Sequence, residues 1–278
     1  MNHRMEPEIQ AFENDLYLNE KSKATIKKYV KSVRRLAEFL EGAELTKQRL
    51  LEYREYLQTQ NKAQTVNGAL SAIHAFLDFC GKQDCKVKLL KVQRQVFLQE
   101  ARELSRKEYK CLLHAALTKK NERLYLLMLA IGSTGIRISE LVYITVDALK
   151  HGRAEICMKG KNRTIILHKE LRKKLLKYAK KQGIESGHIF RTKSGKPLDR
   201  SNVCHDMKKL SEEARVDAGK IFPHNLRHLF ARTFYAIEKN LAYLADVLGH
   251  SRIETTRMYV AASVTAHEKI LNQMKLVI

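Results

Sequence analysis

Six residues spread over the second half of the chain carry side chains suited to one kind of chemistry: Arg137, Lys159, His224, Arg227, His250 and Tyr259. Guanidinium groups match phosphate oxygens bidentately and stay charged at any working pH. Imidazole and ammonium groups move protons, and a tyrosine hydroxyl is a nucleophile once its proton is taken. The six sit in four short stretches. These are Thr134-Gly135-Ile136-Arg137-Ile138-Ser139-Glu140-Leu141, a turn around Lys159, Pro223-His224-Asn225-Leu226-Arg227-His228, and Leu248-Gly249-His250-Ser251 followed by Thr255-Thr256-Arg257-Met258-Tyr259. Singly, each has an ordinary structural explanation. A lone arginine near a helix start is a surface residue or ion-pair partner, a turn lysine is solvated, and a lone tyrosine is half-buried core. His224 and His228 have the i,i+4 spacing of a metal pair, but no glutamate follows His224 and no third ligand presents itself, so no metal site is expected.

The surrounding composition points to a polyanionic partner. The 278 residues hold 52 Lys+Arg against 30 Asp+Glu, a formal net charge of +22. A surplus this large favours nucleic acid over charge kept for solubility alone. Residues 1–95 carry 17 basic and 12 acidic side chains, and residues 96–278 carry 35 and 18, so both parts are basic. A hydrophobic fraction of 44% supports packed cores and excludes a wholly disordered basic chain. Residues 1–10 have no signal-peptide core, and no apolar run reaches the length of a membrane span; the longest, residues 124–131, suits a buried helix. Five scattered cysteines outside any CxxC spacing give neither a disulfide framework nor a zinc ribbon, so a cytoplasmic protein is expected.

The elements that must position these residues are mostly helical. From Thr25 to Leu40, Ile26, Tyr29, Val30, Val33, Ala37 and Leu40 recur at helical spacing, with Lys27, Lys31, Arg34 and Arg35 on the opposite face. A second helix, capped by Thr65 and stopped by Gly81, turns Val66, Leu70, Ile73, Phe76 and Leu77 inward and Asn67, Ser71 and His74 outward. These two polar faces are candidate DNA contacts, or plain solvated surface. Ser105 and Glu108 have the spacing of a capping box that opens a new helix. Residues 154–158 and 163–167 read as the strands of a hairpin, with Lys159-Gly160-Lys161-Asn162 as its turn. Residues 169–181 form a basic amphipathic helix with Leu171, Leu175 and Tyr178 inward, and Asp199 or Ser201 caps the next one. The architecture is therefore mainly α around one small antiparallel sheet.

Taken together and in this order, the four stretches resemble the tyrosine recombinase family, the phage integrases and Xer-type site-specific recombinases. The local signatures TGIRISEL, PHNLRH, LGHS and TTRMY agree, as does the gap of nine residues from His250 to Tyr259. The resemblance is close over residues 104–278 and looser over the N-terminal helices. It implies a helical, SAM-like core-binding domain over residues 1–95, a linker over 96–103, and a mostly α catalytic domain of the DNA breaking-rejoining fold over 104–278 that ends in a tail helix.

The resemblance also implies the chemistry. A site-specific recombinase cleaves and rejoins duplex DNA through a covalent 3′-phosphotyrosyl intermediate, in integration, excision or resolution. Arg137 and Arg227 would clamp the scissile phosphate, Tyr259 would attack it, His224 would accept the tyrosine proton, His250 would hydrogen-bond the phosphate, and Glu140 would orient the cations. Lys159 would protonate the leaving 5′-oxygen. The KGKNR turn is one residue shorter than the common Xer-type pattern, which leaves Lys161 as the alternative acid. The covalent intermediate conserves the bond energy, so no cofactor, metal or ATP is implied. The implied partner is double-stranded DNA with paired inverted sites, bound by a homo-tetramer that is a monomer or weak oligomer off DNA. The C-terminal helix, with Val264, Ile270, Leu271 and Met274, would dock on a neighbouring protomer. Leu229 and His74 depart from the family, which usually has Thr and Arg there. Two other readings fit part of the pattern: type IB topoisomerase-like relaxation, and a catalytically inactive DNA-binding homologue. The full set of six residues and the tail favour the recombinase.

Overall fold

The computed structural model describes residues 5–92, 100–158, 161–192, 194–260 and 272–274. The chain divides into two compact units, Met1–Arg94 and Gln95–Ile278.

Among its described residues the first unit holds four α-helices, α1 (Glu6–Leu18), α2 (Lys23–Leu40), α3 (Lys47–Gln60) and α4 (Ala63–Phe79). The first amides of a helix lack partners within it. Ser22 Oγ accepts the Thr25 amide at 3.2 Å and Thr46 Oγ1 accepts that of Arg49 at 3.3 Å, which fixes where α2 and α3 begin. Of the α2 stripe, Ile26, Val30, Val33, Ala37 and Leu40 are buried as their spacing predicts, Tyr29 is partly buried against the core, and Leu36 joins them. Helix α4 starts earlier than expected. Lys62 occupies the cap position, and Thr65 lies inside the first turn with its amide bonded to the Lys62 carbonyl at 2.8 Å. The core is built on Leu36, Leu50, Leu70 and Ile73, with Phe12 edge-on to Phe76 at 5.3 Å.

The second unit runs α5 (Arg106–Thr118), α6 (Glu122–Thr134), a 3-10 segment Ile138–Tyr143, α7 (Val146–His151), β1 (Arg153–Met158), β2 (Lys161–Ile166), α8 (Lys169–Lys181), α9 (Arg200–Lys208), α10 (Ser211–Ala214), α11 (Pro223–Glu238), α12 (Leu241–Leu248) and α13 (Ile253–Val260). The capping box forms: Ser105 Oγ accepts the Glu108 amide at 3.1 Å and Glu108 Oε2 accepts the Ser105 amide at 2.7 Å. Helix α6 is the buried centre, through Leu126, Leu127, Met128, Ala130 and Ile131, and α5 and α11 pack along it. It ends at Gly135, in the left-handed region at φ 65°, where a Cβ would collide with the Phe230 ring of α11. Asp199, not Ser201, caps α9 by accepting the amides of Ser201 and Asn202.

The hairpin is antiparallel and runs from Arg153↔Ile166 to Met158↔Lys161. Lys161 and Asn162 therefore belong to the ladder and not to the turn, so β2 begins two residues earlier than the sequence pattern suggests. Residues 159–160 lie outside the described residues, as do 96–99 of the expected linker; Glu100–Arg102 form a single 3-10 turn. Of the C-terminal apolar stripe, Val264, Ile270 and Leu271 lie outside the described residues and Met274 is exposed. No described helix is long and apolar enough to cross a membrane.

Candidate active site

Five of the six sequence-selected residues converge in the second unit. Each is delivered by a separate piece of local structure. Arg137 stands just before the 3-10 segment, after the chain has reversed at Gly135. His224 and Arg227 share the first turns of α11, which Pro223 opens at a position where its missing amide costs nothing. His250 follows Gly249, the left-handed end of α12. Tyr259 lies near the end of α13. Lys159 lies outside the described residues; Lys161 is placed on β2 by its backbone.

Among the described residues Arg227 is the most deeply buried cation, at 1% exposure. Its Nη1 donates to the Gly135 carbonyl, and its Nη2 to the Leu248 carbonyl at 2.7 Å and to His250 Nε2 at 2.9 Å. Its Nε is buried with no partner among the described residues, a donor that an anion would satisfy. Burial and the nearby charge of Arg137 pull this guanidinium down to about 10, while Tyr259 partly supports it. Arg137 is held by Glu140, whose Oε1 accepts its Nη1 and whose Oε2 accepts its amide, both at 2.8 Å. Its Nη2 reaches the Gly249 carbonyl at 3.3 Å. Burial would raise the Glu140 carboxyl, but the Arg137 amide and guanidinium and the Arg163 charge outweigh it and hold the group below the usual carboxylate range.

Tyr259 is 4% exposed and enclosed by three imidazoles. The rings of His228, His250 and His224 lie at 4.4, 5.4 and 5.8 Å from its own. Its hydroxyl stands 3.3 Å from His224 Nε2. One side of His224 is open to solvent. Even so, burial of the ring, then His228, Arg227 and the other cations, lower it to about 4. The same causes, led by burial and Arg227, take His250 to about 3. Both rings are therefore neutral near pH 7, and a neutral imidazole beside a hydroxyl can take its proton.

Three contributors escaped the sequence reading. Arg163 donates to Glu140 Oε2 at 2.5 Å and to the Val247 carbonyl at 2.7 Å. Thr256, fully buried, bonds His250 Nδ1 at 2.9 Å. Glu103 accepts from His228 Nδ1 at 3.2 Å. The signal for Arg163 was present: residues 163, 165 and 167 alternate onto one face with the buried Ile165 and Leu167, and a charge on such a face needs a reason.

The candidate DNA contacts belong to the first unit. Lys27, Lys31, Arg34 and Arg35 are exposed on α2, with Arg34 paired to Glu6 at 2.8 Å. Of the three candidates on α4, Ser71 alone is exposed, and it is bonded to the Asn67 carbonyl of its own helix. The Asn67 amide is engaged at both ends, with the Leu90 carbonyl and the Leu90 amide at 2.8 Å each. His74 is half-buried, and burial lowers its pKa. Among the described residues no group of three or more His, Cys, Asp or Glu side chains could hold a metal ion.

Residues 102–265 match the phage integrase family and residues 9–86 match the phage integrase N-terminal SAM-like domain. The chain belongs to the phage integrase family. It is 29% identical over 280 residues to the tyrosine recombinase XerA of Thermococcus kodakarensis, covering 97% of this chain and 95% of that protein. It is 27% identical over 274 residues to the TnP I resolvase of Bacillus thuringiensis, covering 89% and 93%. Among solved structures, the fold is shared with the XerH recombinase bound to palindromic difH substrate in a post-cleavage complex, at a TM-score of 0.73 and 18% identity over 89% of this chain and 79% of that one. A λ integrase tetramer bound to a Holliday junction gives 0.73 at 17% identity over 92% and 76%.

Proposed function

We propose that this chain is a site-specific tyrosine recombinase that breaks and rejoins duplex DNA through Tyr259. The observation that carries the reading is the Tyr259 hydroxyl, held 3.3 Å from a neutral His224 that shares the first turns of α11 with the buried Arg227. In the cleavage step Tyr259 Oη attacks the scissile phosphorus while its proton passes to His224 Nε2. The bond from phosphorus to O5′ breaks, and O5′ takes a proton from a hairpin lysine, Lys159 or Lys161. Arg137 and Arg227 hold the non-bridging oxygens, where charge builds in the transition state. The 3′-phosphotyrosyl bond is then opened by the 5′-hydroxyl of another strand, which returns the tyrosine.

The rest of the reading follows from family membership and charge. Residues 1–95 would grip one side of the duplex through the exposed cations of α2, residues 104–278 would cut it, and 96–103 would join them. Four copies would assemble on paired inverted sites, each passing its C-terminal helix to a neighbour, while the free chain is a monomer or weak oligomer in the cytoplasm. The net charge of +22 supports a close grip on duplex DNA.

The test begins with selection of the binding site from a random duplex pool. A nicked suicide duplex carrying that site is then incubated with the protein and run on a denaturing gel. A covalent complex that forms with the wild type and vanishes with Tyr259→Phe is the expected result. A complex formed equally by Tyr259→Phe removes the nucleophile assignment. Strand exchange between two sites separates recombination from the simple relaxation of a topoisomerase, and a wild type that binds without cleaving is an inactive homologue.

A further inference from the structure

Cleavage as proposed leaves Arg163 without a task, although its side chain is only 10% exposed and both of its terminal nitrogens are bonded to other elements. Arg163 lies on β2 opposite Ile156. Its Nη2 donates to Glu140 Oε2 at 2.5 Å, and its Nη1 to the Val247 carbonyl at 2.7 Å. Its aliphatic stem crosses Gly249, where a Cβ would collide with Arg163 Cδ. The residue thus ties the hairpin to two elements at once. One is the 3-10 segment whose Glu140 holds Arg137, and the other is the end of α12 that delivers His250.

A two-stranded ribbon has little stability of its own, so the position of its tip depends on side-chain anchors near the tip. Arg163 is such an anchor, two residues beyond the Met158↔Lys161 pair that closes the described ladder. Both candidate lysines lie within four residues of Arg163 along the chain. Proton transfer to a leaving oxygen requires an approach of about 2.6–3.2 Å, and an error of about 1 Å costs on the order of a hundredfold in rate.

We propose that Arg163 is a positioning residue for leaving-group protonation: by docking the hairpin on Glu140 it sets where the hairpin lysine meets O5′, and it couples that acid to the same carboxylate that holds Arg137. The inference rests on the reading of a hairpin lysine as the general acid. A guanidinium suits the task because its planar fork binds a carboxylate and a carbonyl in fixed directions, which an ammonium does not.

The experiment compares two suicide duplexes, one with the natural O5′ at the scissile phosphate and one with a bridging 5′-sulfur. A thiolate leaves without a proton, so the sulfur substrate bypasses the acid and nothing else. Arg163→Gln is expected to slow O5′ cleavage about a hundredfold while sulfur cleavage stays within about threefold of wild type. Arg163→Lys, which keeps a cation for Glu140 and loses the fork, is expected to show a smaller loss with the same rescue, and it serves if the glutamine variant folds poorly. Arg137→Lys should be slow on both substrates. Equal slowing of an Arg163 variant on both substrates overturns the inference and makes Arg163 a support of the phosphate clamp alone. Lys159→Ala and Lys161→Ala on the same pair of duplexes test the underlying reading. If neither is rescued by sulfur, the lysine assignment fails, while the ratio of the two rates for the Arg163 variants still decides the role of Arg163.

Discussion

Arg227 and His250 are bonded nitrogen to nitrogen, with Nη2 2.9 Å from Nε2. A guanidinium only donates, so the imidazole must accept at Nε2. Its neutral form then carries the proton on Nδ1, directed at the Thr256 hydroxyl 2.9 Å away. The buried cation therefore selects a neutral ring, the same state that burial and Arg227 favour by taking His250 to about 3. In this state His250 has no proton to offer a phosphate through Nε2.

The first consequence is a dependence of stability on pH. His224 and His250 sit at about 4 and about 3 when folded, against about 6.5 in an unfolded chain. Between those values the unfolded state binds more protons, so stability falls as pH drops below about 6.5 and is unaffected by these rings above it. The carboxyls of Glu103 and Glu140, both held low, lose their contribution only below about 4.5. The window from about pH 6.5 to 5 therefore isolates the histidines. Urea midpoints of the wild type should fall across it, and those of His250→Gln should fall less. Identical slopes would remove His250 as a source of the pH dependence.

The second consequence concerns DNA. A phosphate placed among Arg137, Arg227 and the two imidazoles supplies negative charge and occupies guanidinium donors, which raises both rings. Binding should therefore take up protons near pH 6 and few near pH 9, and the affinity should rise as pH falls. Calorimetry of Tyr259→Phe with a site duplex, run in two buffers of different ionisation enthalpy, reads this number directly. Proton release at pH 6 would contradict the placement of the phosphate.

Arg227 separates catalysis from affinity. It is one cation among 52, so its loss removes about one phosphate contact and lowers the slope of log affinity against log salt by about one. Its fork, however, meets two backbone carbonyls and an imidazole that an ammonium cannot serve together. Arg227→Lys should slow covalent complex formation by about a hundredfold or more, with DNA binding changed far less. Parallel losses in binding and cleavage would place Arg227 in the general DNA grip.

What the sequence made legible tracks how local each signal is. The stripe on α2, the Ser105–Glu108 capping box and the α8 face depend on spacings of three and four residues, and all appear as read. Helix α3 carries the same kind of signal, yet only Leu50, Tyr53 and Leu57 of its 14 residues are buried, so its polar majority masked it. The start of α4 moved because a backbone turn from Lys62 replaced the side-chain cap expected of Thr65. The five placed site residues were found through motif order, which encodes their meeting without showing it. The partners that tune them are non-local: Arg163 lies 23 positions from Glu140, and Glu103 lies 125 from His228. No spacing rule joins positions so far apart, and Asn67 looked like an open contact only because the returning segment at Leu90 was invisible in the pattern.

The Glu103–His228 contact has a kinetic consequence. Residues 102–104 lie along α11, held by Asn225 to the Arg102 carbonyl at 3.0 Å and by Arg232 to the Leu104 carbonyl at 2.7 Å. Between them Glu103 fixes His228 at Nδ1, and the His228 ring meets Tyr259 nearly edge-on, at 65°. Burial would raise the Glu103 carboxyl, but His228 and Arg232 outweigh it and keep the group ionised near neutral pH. A carboxylate that orients a ring, which in turn walls in the nucleophile, should act on cleavage and leave DNA affinity alone. Glu103→Ala and His228→Ala are each expected to slow covalent complex formation between about tenfold and a hundredfold at unchanged affinity. Because the two act in series, the double variant should be little worse than His228→Ala. Fully additive losses would mean that Glu103 and His228 support the site by separate routes.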